Sequence, residues 1–158
     1  MPHLFLSNSF LFSTFVFYIK DKISFPFLRV DRERNHMDMK NLKIKRVYLP
    51  AEENDGYRIL IDRLWPRGLS KAQTSIDEWN KDVTPSPDLR KWFGHREENY
   101  AAFAEKYRSE LDANPLAPSF ALHVKELLAD SNVTLLYGAK SETCNHAIIL
   151  RDWVLEHF

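Results

Sequence analysis

The chain has 158 residues, a formal net charge of +0, and a composition that is 44% hydrophobic and 28% charged. This length suits one domain with its own core, and the balanced charge argues against a general attraction to nucleic acid or membrane surfaces. A single cysteine, Cys144, excludes an internal disulfide and a zinc site built from several cysteines.

Residues 1–36 differ in composition from the rest of the chain. The run MPHLFLSNSFLFSTFVFYIK is rich in Phe, Leu and Ser, and no acidic residue precedes Asp21. A signal peptide needs a positively charged start and a small-residue cleavage site, and a membrane-spanning helix needs about 20 apolar residues without polar interruptions. This run meets neither set of requirements. We favour a start codon assigned too early, because Met37 and Met39 stand just before the first well-patterned strand. Residues 37–158 are therefore expected to form a single domain that folds as stably without the first 36 residues.

Two short segments then have the pattern of β-strands. Residues 44–49 (IKRVYL) alternate apolar and basic residues and end at Pro50, and the following loop closes on Asp55-Gly56, a turn signal. Residues 57–62 form a mostly apolar run, which is typical of a strand buried on both faces of a parallel sheet. Regular structure is predicted to stop before Pro66, since proline disfavours helix in the residue that precedes it.

The rest of the chain alternates helical patterns with one more strand. Residues 69–95 are predicted to be irregular, apart from a helical turn near residues 77–81. REENYAAFAEKYRSEL, residues 96–111, has the apolar spacing of an amphipathic helix, and this spacing recurs over residues 120–128. A third strand, NVTLLYG, precedes a last helix over residues 146–157 with Asn145 as N-cap. This order predicts a small α/β domain with a mostly parallel sheet flanked by helices.

Charged side chains follow two of the predicted strands. Asp62 and Arg63 come directly after the second strand, Arg67 lies in the Pro-Arg-Gly turn behind them, and Lys140 follows the third strand. Ligands of open α/β sheets bind at the carboxyl ends of the strands, and arginine offers a planar fork for phosphate or carboxylate. These residues predict a site for a small anion. The alternative is an Asp–Arg pair that only stabilises the turn.

A second cluster, WNKDVTPSPDLRKWFGH over residues 79–95, combines aromatic and cationic side chains. Long irregular segments inside compact domains are often functional, and such side chains can stack a base and hold its phosphate. Lys81, Arg90 and Trp92 are therefore candidate ligand contacts. His95 precedes the long helix and is, with Asp62, a candidate acid or base. The alternative is that the tryptophans fill the core and the cations face solvent.

A third cluster, YGAKSETCNH, runs from the third strand into the last helix. It has one glycine, so it is neither a P-loop nor a dinucleotide-binding turn, but Lys140, Asn145 and His146 supply hydrogen-bond donors. Cys144 needs a neighbouring base to act as a nucleophile, and we assign it a structural role. The six histidines lack metal-ligand spacing, so we predict no metal and no cofactor. Arg108 on the long helix is a further candidate contact, with a surface ion pair as the alternative.

Read together, these segments resemble a known family, the domain of unknown function family 488, in its YeaO-like branch. The matching pieces are DGYRILIDRLWPRGLSK, WNKDVTPSPDLRKWFGH, YRSEL and TLLYGAKSETCNHAIIL, which run in order from about residue 44 to residue 155. The resemblance implies a cytosolic α/β domain whose recurring polar positions include the candidates above, and it adds Trp65 and Asp82. It implies no established activity, and the first 36 residues have no counterpart in the family pattern.

The sequence thus predicts a cytoplasmic protein with a site for a phosphate- or nucleotide-like small ligand at the carboxyl ends of the strands. Hydrolysis or group transfer, with Asp62 or His95 as acid or base, is the chemistry that would suit this site. The alternative is a binding or regulatory module without chemistry, which contacts nucleic acid through residues 79–95. The lone cysteine indicates a reducing compartment, no membrane contact is expected, and the sequence leaves the oligomeric state open.

Overall fold

The computed structural model describes residues 41–158, except for the side chain of Gln73. The central element of this part of the chain is a parallel sheet. Its strands are β1 (Leu42–Arg46), β2 (Tyr57–Leu60), β3 (Glu78–Trp79) and β4 (Val133–Tyr137), in the spatial order β1–β4–β2–β3. β4 is the last strand along the chain, yet it lies between β1 and β2 and pairs with both. The predicted α/β class with a mostly parallel sheet is confirmed. The prediction for residues 1–36 lies outside the described residues.

Helices follow the strands, and the three longest of them cover one face of the sheet. The bounds of the helices are α1 (Lys71–Thr74), α2 (Pro87–Phe93), α3 (Tyr100–Ala113), α4 (Ala117–Asp130) and α5 (His146–Glu156). The last three agree with the predicted helices to within a few residues, because their apolar spacing is regular. Within residues 41–158, no helix is long and apolar enough to cross a membrane.

Two local predictions are wrong, and both fall between residues 69 and 95. The segment expected to form a helical turn, near residues 77–81, contains the short strand β3 instead. On either side of β3, the N–H groups of Asp77 and Asn80 donate to the carbonyls of Arg58 and Leu60 in β2, both at 2.9 Å. α2 lies in a stretch that was predicted to be irregular. Its local signals are ordinary ones: Ser86 caps it by accepting from Leu89 N, a proline follows in the first turn, and a left-handed glycine ends it.

Both faces of the central strands are buried, as the apolar runs predicted. Ile59 and Leu135 point to the helical side and belong to the main core. Their neighbours Leu60 and Leu136 point to the other side and pack under a smaller cover that includes Trp65 and Trp79. The segment between β2 and β3 therefore closes the face of the sheet that the long helices leave open.

Arg58 interrupts the apolar run of β2 and is only 4% exposed. Its guanidinium forms an ion pair with Asp55, and its Nε donates to the Ser75 carbonyl at 2.9 Å. Asp55 also accepts from Lys45 Nζ at 3.0 Å. The sequence analysis did not single out this buried network, because the run around Arg58 was treated as apolar.

Candidate functional site

A cavity of about 390 Å³ opens at the carboxyl ends of β2 and β4. This volume lies within the usual range for small-molecule sites. Its apolar lining includes Ile61, Phe93 and Phe103. The candidate residues from the sequence that line it are Asp62, Arg63, Arg67, Arg90, His95, Asn145 and His146.

Asp62 joins the ends of β2 and β4 at the floor of the cavity. The backbone N–H of Gly138 donates to Asp62 Oδ2 at 2.7 Å, across 76 positions of sequence. A Cβ atom on Gly138 would lie 2.7 Å from the same oxygen, so a glycine allows this close approach. The Asp62 side chain remains 20% exposed. The structure therefore holds Asp62 in place while leaving part of it accessible from the cavity.

His146, the first residue of α5, lies beside Asp62. Its Nε2 is 3.0 Å from the Ile61 carbonyl oxygen and 3.4 Å from Asp62 Oδ1. Because a carbonyl can only accept, Nε2 carries the proton and donates it. Burial lowers the pKa of His146 below 6.5, although the Asp62 charge acts to raise it. His146 is therefore a neutral ring with a fixed orientation near pH 7.

Burial has the opposite effect on the neighbouring carboxyl group. It raises the pKa of Asp62 above 3.8, against the lowering effects of His146 and the Gly138 N–H. Arg90 and His95 also act to lower this pKa, and both line the cavity. A carboxyl group with a perturbed pKa in a concave site is a common feature of functional sites.

Arg90 lies in the last turn of α2 with its side chain partly buried against the cavity. Its Nε is buried and has no hydrogen-bond acceptor within residues 41–158. Arg63 and Arg67 are exposed at the same cavity, and in this described part of the chain their side chains form no hydrogen bond or ion pair. Three arginines thus line a cavity whose lining contains one carboxylate, that of Asp62, so the cavity is locally cationic in a chain of zero net charge.

His95 lines the cavity from the segment between α2 and α3. It has a left-handed backbone with φ of 58°, directly after Gly94 with φ of 54°. Left-handed backbone is unfavourable for a residue with a Cβ atom, although histidine tolerates it better than most. The ring lies 5.7 Å from that of Phe93, centroid to centroid. This strained backbone therefore carries a candidate acid or base into the cavity.

Asn145 is the N-cap of α5, as predicted, and its side chain is fully used in that role. Its Oδ1 accepts from the N–H groups of Ala147 at 3.0 Å and Ile148 at 3.3 Å. Its Nδ2 donates to the carbonyls of Ser141 at 2.9 Å and Glu142 at 3.3 Å. Asn145 therefore holds the loop before α5 in place and has no free donor for a ligand.

Four candidate contacts from the sequence lie outside the lining of this cavity: Lys81, Trp92, Arg108 and Lys140. Trp92 is half exposed because α2 is a helix, in which residues two positions apart do not face the same way. The same turn directs Arg90 towards the cavity. The proposed site therefore does not include these four residues.

Three of these residues have other partners, and that of Trp92 is Lys106, whose Nζ lies 5.6 Å from the centre of its ring. Lys81 Nζ lies 3.7 Å from the centre of the Trp79 ring, which fits a cation–π contact. Arg108 forms two hydrogen bonds with Glu156, at 2.7 and 3.0 Å, on an exposed surface. The surface ion pair considered as the alternative for Arg108 is therefore present.

Tyr48 is a cavity residue that the sequence analysis missed. It lies two residues after β1, and its hydroxyl donates to the Arg67 carbonyl at 3.4 Å. It was missed because residues 44–49 were predicted to be a strand, whereas β1 ends at Arg46 and Tyr48 follows its carboxyl end as Asp62 follows that of β2. Cys144 does not line the cavity, and among residues 41–158 no group of three or more His, Cys, Asp or Glu side chains could hold a metal ion.

Comparison with known proteins gives one family and several relatives. The family model that matches residues 41–158 is described as the inactive DUF488-N3 subclade. The chain is 46% identical over 114 residues to the uncharacterized protein YeaO of Escherichia coli (strain K12), covering 72% of this chain and 96% of that protein. It is 36% identical over 110 residues to the uncharacterized protein Rv3073c of Mycobacterium tuberculosis (strain ATCC 25618 / H37Rv), covering 69% and 89% respectively. No solved structure gives a significant match.

Proposed function

Because the chain belongs to the DUF488 family, through a subclade described as inactive, we propose that it is a binding module without catalytic activity. Its ligand is a small organic anion, phosphorylated or nucleotide-like, which occupies the cavity at the carboxyl ends of β2 and β4. Three features support this proposal: the unpartnered guanidinium of Arg90, the excess of positive charge at the cavity, and the way in which the hydroxyl groups there are used.

The guanidinium of Arg90 is the observation that carries the proposal. A buried N–H without an acceptor costs about 1–3 kcal/mol, and more when the group is charged. Native proteins therefore leave few such groups, and those that remain call for an explanation. Arg90 Nε is one of these groups, and its residue lines a cavity of suitable size. An anionic oxygen bound to the terminal nitrogens of the guanidinium, or to Nε after a shift of the side chain, would supply an acceptor and the opposite charge.

The other two arginines of the cavity also favour an anionic ligand. Arg63 and Arg67 lie four positions apart on the segment after β2, and both reach the cavity. Like charges that face one small volume repel each other, and a bound anion relieves that repulsion. The arrangement therefore favours the anion-bound state of the protein over its free state.

The hydroxyl groups of the cavity argue for binding rather than for covalent catalysis. Thr84 Oγ1 donates to the Lys81 carbonyl at 2.8 Å, and the Tyr48 hydroxyl donates to the Arg67 carbonyl. Neither hydroxyl donates to Asp62 or to a histidine, whereas an activated nucleophile needs a base within hydrogen-bond reach. Together with the family description, this use of the hydroxyls supports a site that holds its ligand without transforming it.

The test is the response of the protein to inorganic phosphate, adenosine monophosphate and fructose 6-phosphate in thermal unfolding and calorimetry. Binding to the native state raises the unfolding midpoint. We expect Arg90→Gln to weaken binding about 10- to 100-fold, which corresponds to the loss of one or two charge-assisted hydrogen bonds. Without ligand, this variant should be as stable as the wild type or slightly more stable, because a buried unpaired charge has been removed.

Lys91→Gln is the matched control, since Lys91 is the adjacent cation on the same helix and is exposed outside the cavity. It should leave binding unchanged. Arg67→Ala should also weaken binding without lowering stability, and Arg67→Lys should restore only part of the affinity, because an ammonium group lacks the bidentate fork. Equal binding by wild type and Arg90→Gln would contradict the proposed site. Turnover of a bound phosphate ester would contradict the absence of catalysis.

A further inference from the structure

A second arginine at the carboxyl edge of the sheet, Arg46, resembles Arg90 in having a buried Nε without a hydrogen-bond acceptor. Within residues 41–158, the buried side-chain nitrogens without an acceptor are Arg90 Nε and Arg46 Nε. Arg46 is the last residue of β1 and does not line the cavity. Because β1, β4 and β2 are parallel neighbours, the end of β1 lies on the same edge of the sheet as Asp62 and the cavity.

Tyr48 connects Arg46 to the cavity. The Arg46 guanidinium carbon lies 5.2 Å from the centre of the Tyr48 ring, and Tyr48 itself lines the cavity. A Cβ atom on Gly138 would lie 4.0 Å from Tyr48 and 2.7 Å from the Asp62 carboxylate, so both side chains lie close to the residue that follows β4. Contacts through Tyr48 thus join Arg46 and the Asp62 end of the cavity into one proposed surface. Tyr48 is 42% exposed on this surface.

Apart from its cation–π contact with Tyr48, the Arg46 guanidinium has no partner among residues 41–158 that would compete with a further anion. In the described residues its side chain forms no ion pair, and its Nε has no acceptor. Tyr137, the partner of Arg46 in the β1–β4 register, is an ionisable neighbour. Burial raises the pKa of the Tyr137 hydroxyl, with Glu142 adding to the rise and Arg46 opposing it. Tyr137 is therefore neutral at physiological pH and does not neutralise the guanidinium.

We propose that the ligand of this site carries two anionic groups on one small ring, with Arg90 binding one group inside the cavity and Arg46 binding the other beyond Tyr48. The ring between them packs against Tyr48. This inference rests on the proposed function, and it restricts the ligand class to compounds such as sugar bisphosphates or nucleoside bisphosphates. Once the first group is bound, binding of the second is intramolecular, so it adds affinity without a second loss of translational freedom.

The experiment compares ligands that differ by one phosphate on the same ring. Fructose 6-phosphate is paired with fructose 1,6-bisphosphate, and adenosine monophosphate is paired with adenosine 3′,5′-bisphosphate, in calorimetry on the full chain. We expect at least one bisphosphate to bind about tenfold or more tightly than its monophosphate, as one added charge-assisted contact predicts. Arg46→Gln should remove this gain and leave monophosphate binding unchanged, whereas Arg90→Gln should weaken both ligands.

Two further variants test whether the effect is specific to the Arg46 guanidinium. Lys43→Gln is the matched control on β1, because Lys43 Nζ donates to the Asn54 carbonyl at 2.9 Å and plays no part in the proposed surface. It should leave the gain intact. Arg46→Lys keeps the charge and the stem but lacks the fork, so it should retain only part of the gain. It also serves in place of Arg46→Gln if that variant does not fold.

The outcomes separate the two proposals. Equal affinity within both ligand pairs, or a gain that survives in Arg46→Gln, would overturn the two-anion inference while leaving a one-anion site at Arg90 intact. Absence of any binding that depends on Arg90 would overturn both.

Discussion

Gly56→Ala is expected to lower the free energy of unfolding by about 3–5 kcal/mol, the combined effect of a left-handed backbone and an overpacked contact. Gly56 immediately precedes β2 and has φ of 66° and ψ of −137°, a conformation that residues with a Cβ atom rarely adopt. A Cβ atom there would lie 2.0 Å from the carbonyl oxygen of Asn132. That oxygen cannot move freely, because it accepts from Tyr57 N at 2.8 Å just before β4 begins.

Gly68→Ala is the matched control for this prediction. Gly68 also has a left-handed backbone, with φ of 77°, but a Cβ atom there would meet nothing within 4 Å. It should lose only about 1 kcal/mol, from backbone strain alone. Chemical denaturation of both variants measures the difference between them. A similar small loss for both would mean that the contact between Gly56 and Asn132 is looser than the structure has it.

Arg58→Met is expected to lower the free energy of unfolding by about 3–5 kcal/mol, the range for breaking a buried ion pair by removing one partner. The guanidinium of Arg58 pairs with Asp55, and its Nη2 and Nε donate to main-chain carbonyls at 3.3 and 2.9 Å. Both side chains of the pair are about 5% exposed or less. Methionine fills a similar volume, so the loss measures the Asp55 carboxylate that has lost one of its two cationic partners, and the unmet carbonyls, more than a cavity.

The exposed pair of Arg108 and Glu156 is the control for the buried pair. Their side chains are 37% and 56% exposed, so solvent and salt screen their attraction. Arg108→Met should therefore change stability much less than Arg58→Met, although Arg108 makes two hydrogen bonds to its partner. If the two variants lost equal stability in denaturant titrations, burial would not be the source of the effect at Arg58.

The buried pair should also give stability a dependence on pH. Burial by itself would raise the pKa of Asp55, but the Glu52 N–H, Lys45 and Arg58 together lower it below 3.8. A carboxylate whose pKa is lower in the folded state stabilises the fold at pH values above its unfolded pKa. This contribution is lost as the pH falls from about 3.8 through the lowered pKa. The Arg58→Met variant should lose less additional stability over that acid range than the wild type does.

The elements that stabilise β2 and the residues that form the site lie at opposite ends of this strand. Gly56 and Arg58 belong to its amino end, whereas Asp62 and the cavity belong to its carboxyl end. Variants of the first group should thus change stability with little effect on ligand affinity in the folded protein. Variants of Arg90 and Arg46 should do the reverse. This separation allows a loss of binding to be distinguished from a loss of folding.

The sequence by itself determined those features that depend on neighbouring residues. Apolar spacing located α3, α4 and α5, mostly apolar runs located β2 and β4, and an asparagine before the last helix indicated the cap at Asn145. The parallel sheet followed from the order of these elements. Since strand ends gather at one edge of such a sheet, Asp62 and Arg63 were predicted to be site residues, and both line the cavity. These signals are local, and they act over a few positions of the chain.

The tertiary structure alone decided which distant residues meet. β3 is a two-residue strand that exists through its bonds to β2, so no periodic pattern could reveal it. The insertion of β4 between β1 and β2 brings Gly138 to Asp62 and aligns Arg46 with the same edge. The helical turn of α2 directs Arg90 to the cavity and Trp92 away from it. The burial of a side chain and its hydrogen-bond partners depend on the whole packed chain. The neighbours of Arg58 and Arg90 in sequence therefore could not predict that Arg58 is paired and that Arg90 Nε is not.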